Sequence, residues 1–294
     1  MINAANAWLR RIGKRIRGAA TPPAPDPRNA TPVPAPVWKR LCHRHPFLAV
    51  LSETEAQRLI VLAGQFIATK QFSAAGGHEL SEEIVASIAV QACLPILELG
   101  LDVYPTFTEI IVYPGEFLVE RDIIDDAGVV HNMREPLSGE AWEGGPVVLS
   151  WQDARGHRRD LSGTNVVIHE FAHKLDMGNG AVDGLPRFYR SLHPDLNEPR
   201  WNAVFDAAFE DFIVRVEELE AGFPTDLDPE SHEAEAHYAT LPLDPYASTD
   251  PGEFFSVCAE SFFTAPKRLA GAYPEVYAQL RLYFRQDPLA RAAA

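Results

Sequence analysis

The segment from His169 to His173, with the sequence His-Glu-Phe-Ala-His, has the residue types and spacing of a zinc-binding helix. Each residue of an α-helix advances by about 100°, so histidines four apart lie one turn above each other on one face. Zn²⁺ binds neutral imidazole nitrogens, and a catalytic zinc site has three protein ligands and a fourth position for water. The spacing therefore predicts that His169 and His173 bind one zinc ion.

Glu170 directly follows the first histidine and is suited to act as a general base. Zinc lowers the pKa of a bound water molecule towards neutrality, and a neighbouring carboxylate can take its proton so that hydroxide attacks a polarised carbonyl. A chance match is the alternative. The surrounding helix is so apolar, however, that two histidines and a glutamate within it would need buried partners. The segment predicts metal-assisted hydrolysis of an amide bond.

The third zinc ligand must come from another part of the chain, and a later predicted helix carries two candidates, Glu253 and Glu260. These glutamates are seven residues apart and lie within about 20° on one helical face. Either could bind the metal while the other orients a ligand histidine. Glu253 also fits a capping role, because Asp250 as N-cap and Pro251 at the first helical position place it at N3. Spacing alone leaves this choice open.

The elements that position these residues are predicted to be mostly helices with a few strands. Apolar residues at helical spacing and capping residues at helix starts carry the helix predictions, and β-branched and aromatic runs carry the strand predictions. The predicted helices cover residues 52–65, 81 onwards, a buried run at 88–101, 201–219, 251–263 and 274–284, and the predicted strands cover 107–113 and 146–151.

The composition is that of a globular protein, with 294 residues, of which 46% are hydrophobic. Residues 1–40 carry eight Lys or Arg and one Asp, a balance of +7 that leaves −22 on the remainder. The strong negative charge of the residues after 40 argues against direct binding to nucleic acid. Three widely separated cysteines, Cys42, Cys93 and Cys258, do not form the pattern of a secreted disulfide framework, and a reducing cytoplasm is the predicted location.

Residues 1–37 are predicted to form a basic tail and linker rich in proline and alanine, followed by one domain over residues 38–290. Apolar and basic residues alternate from Trp8 to Arg17, a pattern that fits weak contact with an anionic membrane or an acidic partner. A solvated tail is the favoured interpretation, and the missing apolar stretch disfavours a signal peptide. Within the domain, an acidic loop or insertion is predicted at about 222–244.

Several segments, in the same order, resemble the Mlc titration factor A family of bacterial zinc peptidases. They are residues 94–101, 128–132, 169–176 (HEFAHKLD), 244–255 and 260–266, and the resemblance runs from about Trp38 to Pro288. The basic N-terminus lies outside it, and residues 225–240 look like an insertion relative to the family. The resemblance implies an α+β, zincin-like domain of the gluzincin type, mostly helical with a small sheet.

The resemblance also implies roles for individual residues. It gives His169, His173 and Glu253 as zinc ligands and Glu170 as the base. The pattern is similar to the catalytic domain of anthrax lethal factor, in which a tyrosine lies seven residues before the ligand glutamate. Tyr246 has that spacing from Glu253, and its phenol could donate a hydrogen bond to the oxyanion of the tetrahedral intermediate. An ordinary turn tyrosine packed on the site is the alternative.

His131 matches a family position that coordinates the metal. The sequence alone shows a histidine in a loop containing Gly and Asn, for which solvation is the default. If His131 binds the metal, it fills the position of the water, and a loop movement would then activate the enzyme. Residues 147–150 and Trp151 precede the zinc helix where zinc peptidases line up substrate by strand pairing, which is an analogy of fold.

Two functions follow from the resemblance. The first is a cytoplasmic zinc peptidase acting on peptides or proteins, aminopeptidase-like, which also binds a transcriptional repressor of sugar uptake. The second is a protein that sequesters such a repressor and whose hydrolytic activity is secondary. A purely structural zinc is a third interpretation, which the glutamate beside the first histidine disfavours.

Overall fold

The computed structural model describes residues 30–77, 79–104, 107–115, 117–124, 130–137, 139–141, 145–156, 163–224, 227–228 and 231–293. The predicted basic tail therefore lies outside the described residues, except for its last few positions. The described chain is mostly helical with a small sheet, which agrees with the predicted α+β class. None of its helices is long and apolar enough to cross a lipid bilayer.

The helices are α1 (Ala35–Arg44), α2 (Pro46–Ala49), α3 (Glu53–Thr69), α4 (Glu82–Cys93), α5 (Trp151–Ala154), α6 (Val166–Asp176), α7 (Glu198–Glu220), α8 (His232–Tyr238), α9 (Pro251–Thr264), α10 (Pro266–Ala272), α11 (Pro274–Phe284) and α12 (Pro288–Ala293). The strands are β1 (Gln71–Ala74), β2 (Glu109–Tyr113), β3 (Phe117–Ile124), β4 (Val130–Leu137), β5 (Gly139–Ala141) and β6 (Val147–Ser150). Short 3₁₀ helices occupy Leu101–Val103, Met177–Asn179 and Pro245–Ser248.

Four strands form one sheet in the order β1-β2-β6-β5. Strands β1, β2 and β6 are parallel, and β5 runs antiparallel to β6. All four residues of β6 are buried, as expected for a central strand covered on both faces. Strand β6 therefore has neighbours on both sides, and β5 lies at the edge of the sheet. The sequence prediction that 147–150 aligns a substrate by strand pairing is wrong, because β6 has no open edge.

Strands β3 and β4 form a separate antiparallel pair, in which Phe117 lies opposite Leu137 and Ile123 opposite His131. The sequence predicts a loop containing Gly and Asn around His131, and the structure instead places this residue in a strand. The side chain of His131 lies outside the described part of the structure.

Helix α3 shows how local chemistry fixes an element. Ser52 caps it, with Oγ accepting a hydrogen bond from Glu55 N at 3.3 Å and the Glu55 carboxylate accepting one from Ser52 N at 2.9 Å. This reciprocal capping box agrees with the capping residues that the sequence predicts at helix starts. The helix continues to Thr69, and Phe66 near its end is fully buried.

Aromatic side chains connect the sheet side of the core to α6. The Phe171 ring lies 5.6 Å from Phe66, 5.3 Å from Tyr104 and 5.9 Å from Phe107, measured between ring centroids. Edge-to-face and tilted pairs at these distances stabilise beyond the burial of their area. Phe171 follows Glu170 directly, so this cluster fixes the helix turn that carries the predicted base.

A second aromatic group joins α7 to α9. Trp201 stacks on Phe205 with centroids 4.3 Å apart, and Phe205 lies 6.2 Å from both Phe254 and Phe255. Helix α9 is buried along nearly its whole length. The predicted core role of the Trp201 helix agrees with this packing.

Three further sequence predictions need correction. The run 88–101 is buried as predicted, but α4 ends at Cys93, because Pro95 has no N–H and its ring clashes with the preceding turn. The predicted linker extends too far, since α1 already begins at Ala35 with Pro36 in its first turn, where proline is tolerated. Residues 222–244 are predicted as a loop or insertion, and the loop interpretation is wrong where the structure has helix α8.

Cys42 is half-buried, Cys93 and Cys258 are buried, and all three are free thiols.

Candidate active site

Helix α6 begins at Val166 because the Asn165 side chain caps it, with Oδ1 accepting a hydrogen bond from Ile168 N at 2.9 Å. From Val167 to Asp176 every residue is buried. His169 and His173 lie on one face of this helix, and their Nε2 atoms are 3.1 Å apart. The helix thus presents two buried imidazoles side by side, as the spacing predicts.

Helix α9 brings Glu253 to these histidines. Glu253 Oε2 lies 2.9 Å from His169 Nε2 and 3.1 Å from His173 Nε2. Asp250 Oδ1 accepts a hydrogen bond from Glu253 N at 2.9 Å, so Glu253 also occupies the predicted N3 position of a capped helix. Its backbone belongs to the cap, and its carboxylate turns towards the histidines.

The three atoms form a triangle with sides of 2.9, 3.1 and 3.1 Å. Ligands bound 2.0–2.1 Å from a tetrahedral zinc ion are about 3.3 Å apart, so a triangle of this size fits one zinc ion. Two imidazole nitrogens and one carboxylate oxygen are also the protein donors of one common type of catalytic zinc site. The residues present fit the metal in both geometry and donor chemistry.

Glu260 lies on the far side of His169. Its Oε1 is 2.6 Å from His169 Nδ1, and its Oε2 accepts a hydrogen bond from the backbone N–H of Asn165. A carboxylate on Nδ1 fixes the tautomer and ring orientation of a histidine, so that Nε2 is free to bind a metal. Spacing leaves the roles of Glu253 and Glu260 open, and the geometry places Glu253 among the donors and Glu260 behind one of them.

The charges of the cluster favour a bound cation. Burial alone would lower the pKa of His169, but Glu260, Glu253 and Glu170 outweigh that effect and raise it well above its ordinary value. Burial would likewise raise the pKa of Glu253, but hydrogen bonds from His169 and His173 hold it well below its usual range. Two carboxylates around one imidazole thus stabilise a positive charge at the place where the three donors meet.

Glu170 is buried on α6 next to this cluster, with 5% of its surface exposed. It lies close enough to His169 for its charge to raise the pKa of that histidine. One turn further on, Lys174 is also buried and donates a hydrogen bond to Gly145 O at 3.1 Å. Burial lowers the pKa of Lys174 to about 8, and the charge of Glu170 opposes this fall. Glu170 therefore lies in an environment that carries charges of both signs.

Tyr246 lies at the rim of the cluster, in the 3₁₀ helix before α9. Asp244 Oδ1 accepts a hydrogen bond from Tyr246 N at 3.0 Å and so fixes this turn. The Tyr246 hydroxyl donates to Glu253 Oε1 at 3.3 Å, and its ring centroid lies 6.0 Å from that of His169. Nearly half of the residue is exposed, 47%, so Tyr246 lies at the boundary between the donors and solvent.

Asp176 ends α6 and is completely buried. Its Oδ2 accepts a hydrogen bond from Gly184 N at 2.9 Å. Burial raises the pKa of Asp176 to about 7. Gly184 has φ +79°, and a Cβ there would lie 2.5 Å from Pro251 O, so only glycine allows this loop to approach the start of α9. Asp176 thus supports the contact that brings Glu253 into place.

Comparison with known proteins identifies the family. Residues 25–285 match the sequence family described as "Glucose-regulated metallo-peptidase M90". The chain belongs to this M90 metallopeptidase family. The match begins before the predicted domain boundary at residue 38, and the segment from Trp8 to Arg17 lies outside it.

Proteins from several bacteria are similar to this chain along most of their length. A protein named Mlc titration factor A from Serratia proteamaculans is 40% identical over 247 residues, which are 84% of this chain and 86% of that protein. Proteins of the same name from Klebsiella pneumoniae and Cronobacter sakazakii are 39% and 38% identical over 247 residues, each covering 84% of both chains. The predicted family is confirmed, and membership in a metallopeptidase family implies a bound metal.

Sequence reasoning missed Asn165 and Gln91, which support the donor cluster from behind. A signal for Asn165 was present, because an asparagine directly before an apolar helical run is a typical N-cap. No local signal marked Gln91, which lies near the end of a buried helix.

Proposed function

We propose that this protein is a zinc-dependent peptidase with a zincin-like active site of the gluzincin type. The observation that carries the proposal is the meeting of three donors, the buried His169 and His173 and the partly buried Glu253, beside Glu170 in a member of a metallopeptidase family. Zinc bound by these donors would polarise the substrate carbonyl and acidify a water molecule. The proton transfers and the binding of the oxyanion are carried out by side chains of the protein.

Glu170 is the proposed general base. Its carboxylate takes a proton from the attacking water and later delivers it to the nitrogen of the leaving amine, so one group serves both steps. Glu260 has a different task, because it holds His169 by Nδ1 and lies behind the histidine. Glu170 lies on α6 and Glu260 on α9, so the two carboxylates reach the cluster from different helices.

An unbiased peptide library tests this proposal. The zinc-loaded protein is expected to cleave a subset of the peptides, and a chelator is expected to stop cleavage until zinc is restored. Comparison of free with N-acetylated peptides tests the aminopeptidase-like preference, since an aminopeptidase needs a free amino group. Cleavage that continues in the chelator would contradict a zinc peptidase.

Tyr246 is proposed to bind the oxyanion of the tetrahedral intermediate, and Tyr246→Phe tests this role. The variant is expected to lower kcat by about 10² to 10³-fold, the usual effect of losing one oxyanion donor. KM and zinc content are expected to change little, because the phenol is 3.3 Å from Glu253 Oε1 and is not one of the three donors. Unchanged kcat in this variant would show that Tyr246 is an ordinary turn tyrosine packed on the site.

Strand β5 is the proposed binding edge for the substrate backbone. It is paired with β6 on one side and contacts α6, which carries the predicted base. A peptide in extended conformation can add to such an edge by main-chain hydrogen bonds. This edge would orient the scissile bond of the substrate.

His131 is proposed to occlude the metal in the resting enzyme. The support is its match to a metal-coordinating position of the family and its place in β4, outside the four-stranded sheet. We expect His131→Ala to raise resting peptidase activity, because the water position would then be permanently open. Unchanged resting activity and unchanged zinc geometry in this variant would rule out occlusion.

A second proposed function is binding of a transcriptional repressor in the cytoplasm. The name of the relatives, Mlc titration factor A, states that those proteins titrate Mlc. The free thiols of the three cysteines support a reducing compartment. Glu170→Gln separates the two functions, because it is expected to stop hydrolysis and leave repressor binding intact. A protein that only sequesters the repressor would show no zinc-dependent hydrolysis in the wild type.

A further inference from the structure

We infer that Asn165 and Gln91 are positioning residues that hold the zinc ligand His169 in place through Glu260. The inference rests on the proposed zinc site and adds two residues to it. Neither residue belongs to the three donors, and both act through other groups.

A closed ring of contacts joins Asn165, Glu260 and His169. The Asn165 carbonyl accepts a hydrogen bond from His169 N at 3.0 Å, and its N–H donates to Glu260 Oε2. Glu260 Oε1 completes the ring at 2.6 Å from His169 Nδ1. Both oxygens of the Glu260 carboxylate are engaged, so the carboxylate cannot rotate without breaking one contact. The position of the Asn165 backbone therefore sets the orientation of the His169 imidazole.

The Asn165 side chain fixes that backbone at a second point. Its Oδ1 caps α6 by accepting from Ile168 N, and its Nδ2 donates to Gln91 Oε1 at 2.8 Å. Gln91 is almost completely buried on α4, and its Nε2 donates to Ser87 O at 3.1 Å and to Ala154 O at 3.2 Å. Because the NH₂ group of Gln91 donates to these two carbonyls, its side-chain oxygen faces Asn165. The network thus ties the start of α6 to α4 and α5.

Helix α7 provides a comparison that distinguishes this network from simple helix capping. Asn197 caps α7 with the same bond, Oδ1 accepting from Arg200 N at 3.1 Å, but Asn197 is exposed. Aspartate keeps the capping oxygen at either position. At position 165 it also replaces the Nδ2 donor by an oxygen facing Gln91 Oε1, so two acceptors oppose each other. Asn165→Asp therefore breaks the network and keeps the cap, and Asn197→Asp is its matched control.

The experiment measures metal binding and is independent of activity. Metal-free full-length wild type, Asn165→Asp and Asn197→Asp are titrated with Zn²⁺ in competition with a chromophoric chelator, and the visible spectrum of each Co²⁺-loaded protein is recorded. Asn165→Asp is expected to bind Zn²⁺ at least about tenfold more weakly, the effect of losing an outer partner of a metal ligand, and to shift the Co²⁺ spectrum. Asn197→Asp is expected to match the wild type in both.

Gln91→Met provides a second variant, because it removes the acceptor for Asn165 Nδ2 while it keeps the side-chain length. Like Asn165→Asp, it is expected to weaken Zn²⁺ binding. Urea unfolding of the metal-free protein checks that each variant is folded. Wild-type affinity and spectrum in folded Asn165→Asp would overturn the inference, as would an equal loss in Asn197→Asp. A wild type that binds no Zn²⁺ would overturn the proposed site as well. Weakened binding in Asn165→Asp supports the inference even if no peptide is cleaved.

Discussion

Glu170→Gln is expected to lower peptide hydrolysis by about 10² to 10⁴-fold, the range that a positioned general base contributes. Glutamine keeps the shape of the side chain but cannot accept a proton from water. Because Glu170 is not among the three donors that face one another, zinc content is expected to stay at the wild-type level. The measurement is kcat/KM on a peptide selected from the library, with metal analysis of the same sample.

Glu210→Gln is a suitable control for this variant, because it makes the same chemical change at a residue outside the cluster. Glu210 is exposed on α7. The control variant is expected to retain wild-type activity. Full activity in zinc-loaded Glu170→Gln would show that another group activates the water, and the assignment of the base would be wrong.

Glu253→Ala is expected to have the second large effect, loss of bound zinc and of zinc-dependent activity. It removes the oxygen that lies within 3.1 Å of both histidine Nε2 atoms. Only two imidazoles then remain where a catalytic zinc site needs three protein ligands. Metal content after extended dialysis, measured by elemental analysis, tests this expectation.

Glu260→Gln is the matched comparison, because it changes the other glutamate on the same face of α9. Glutamine can still contact His169 Nδ1 but no longer carries a charge, so zinc affinity is expected to fall by about 10 to 100-fold without loss of the site. The reverse pattern, with zinc retained in Glu253→Ala and absent in Glu260→Gln, would exchange the roles of the two glutamates.

The helices around the site could be predicted because their signals are local. Ser52 with Glu55, and Asp250 with Pro251, mark helix starts within four residues of sequence, and the structure has helices at both places. The histidine pair was equally local, since helical spacing alone brings His169 and His173 onto one face. For these elements the sequence pattern and the tertiary environment favour the same conformation.

The short strands could not be predicted in the same way. Strand β5 has three residues and β1 has four, which is too short to show a period of two. What makes β5 a strand is its pairing with β6, and pairing partners are not visible in a local window. The prediction that β6 aligns substrate was wrong for the same reason, because only the order of the strands shows which one is at the edge.

The roles of Glu253 and Glu260 also depend on tertiary geometry. The two residues share one face of α9, so spacing could not separate them. The way in which α9 crosses α6 places one glutamate at the Nε2 atoms and the other at Nδ1 of His169. Gln91 was beyond sequence reasoning altogether, since its partner Asn165 is 74 residues away along the chain.

Titration of zinc into the metal-free protein, with peptide cleavage followed at each step, tests the central proposal most directly. We predict that activity rises in proportion to added zinc and stops rising at one ion per chain, while Glu170→Gln binds the same amount of zinc without cleaving the peptide. Cleavage that does not depend on zinc, or one bound zinc ion per chain with no cleavage of any peptide in the library, would contradict a zinc peptidase built on His169, His173 and Glu253.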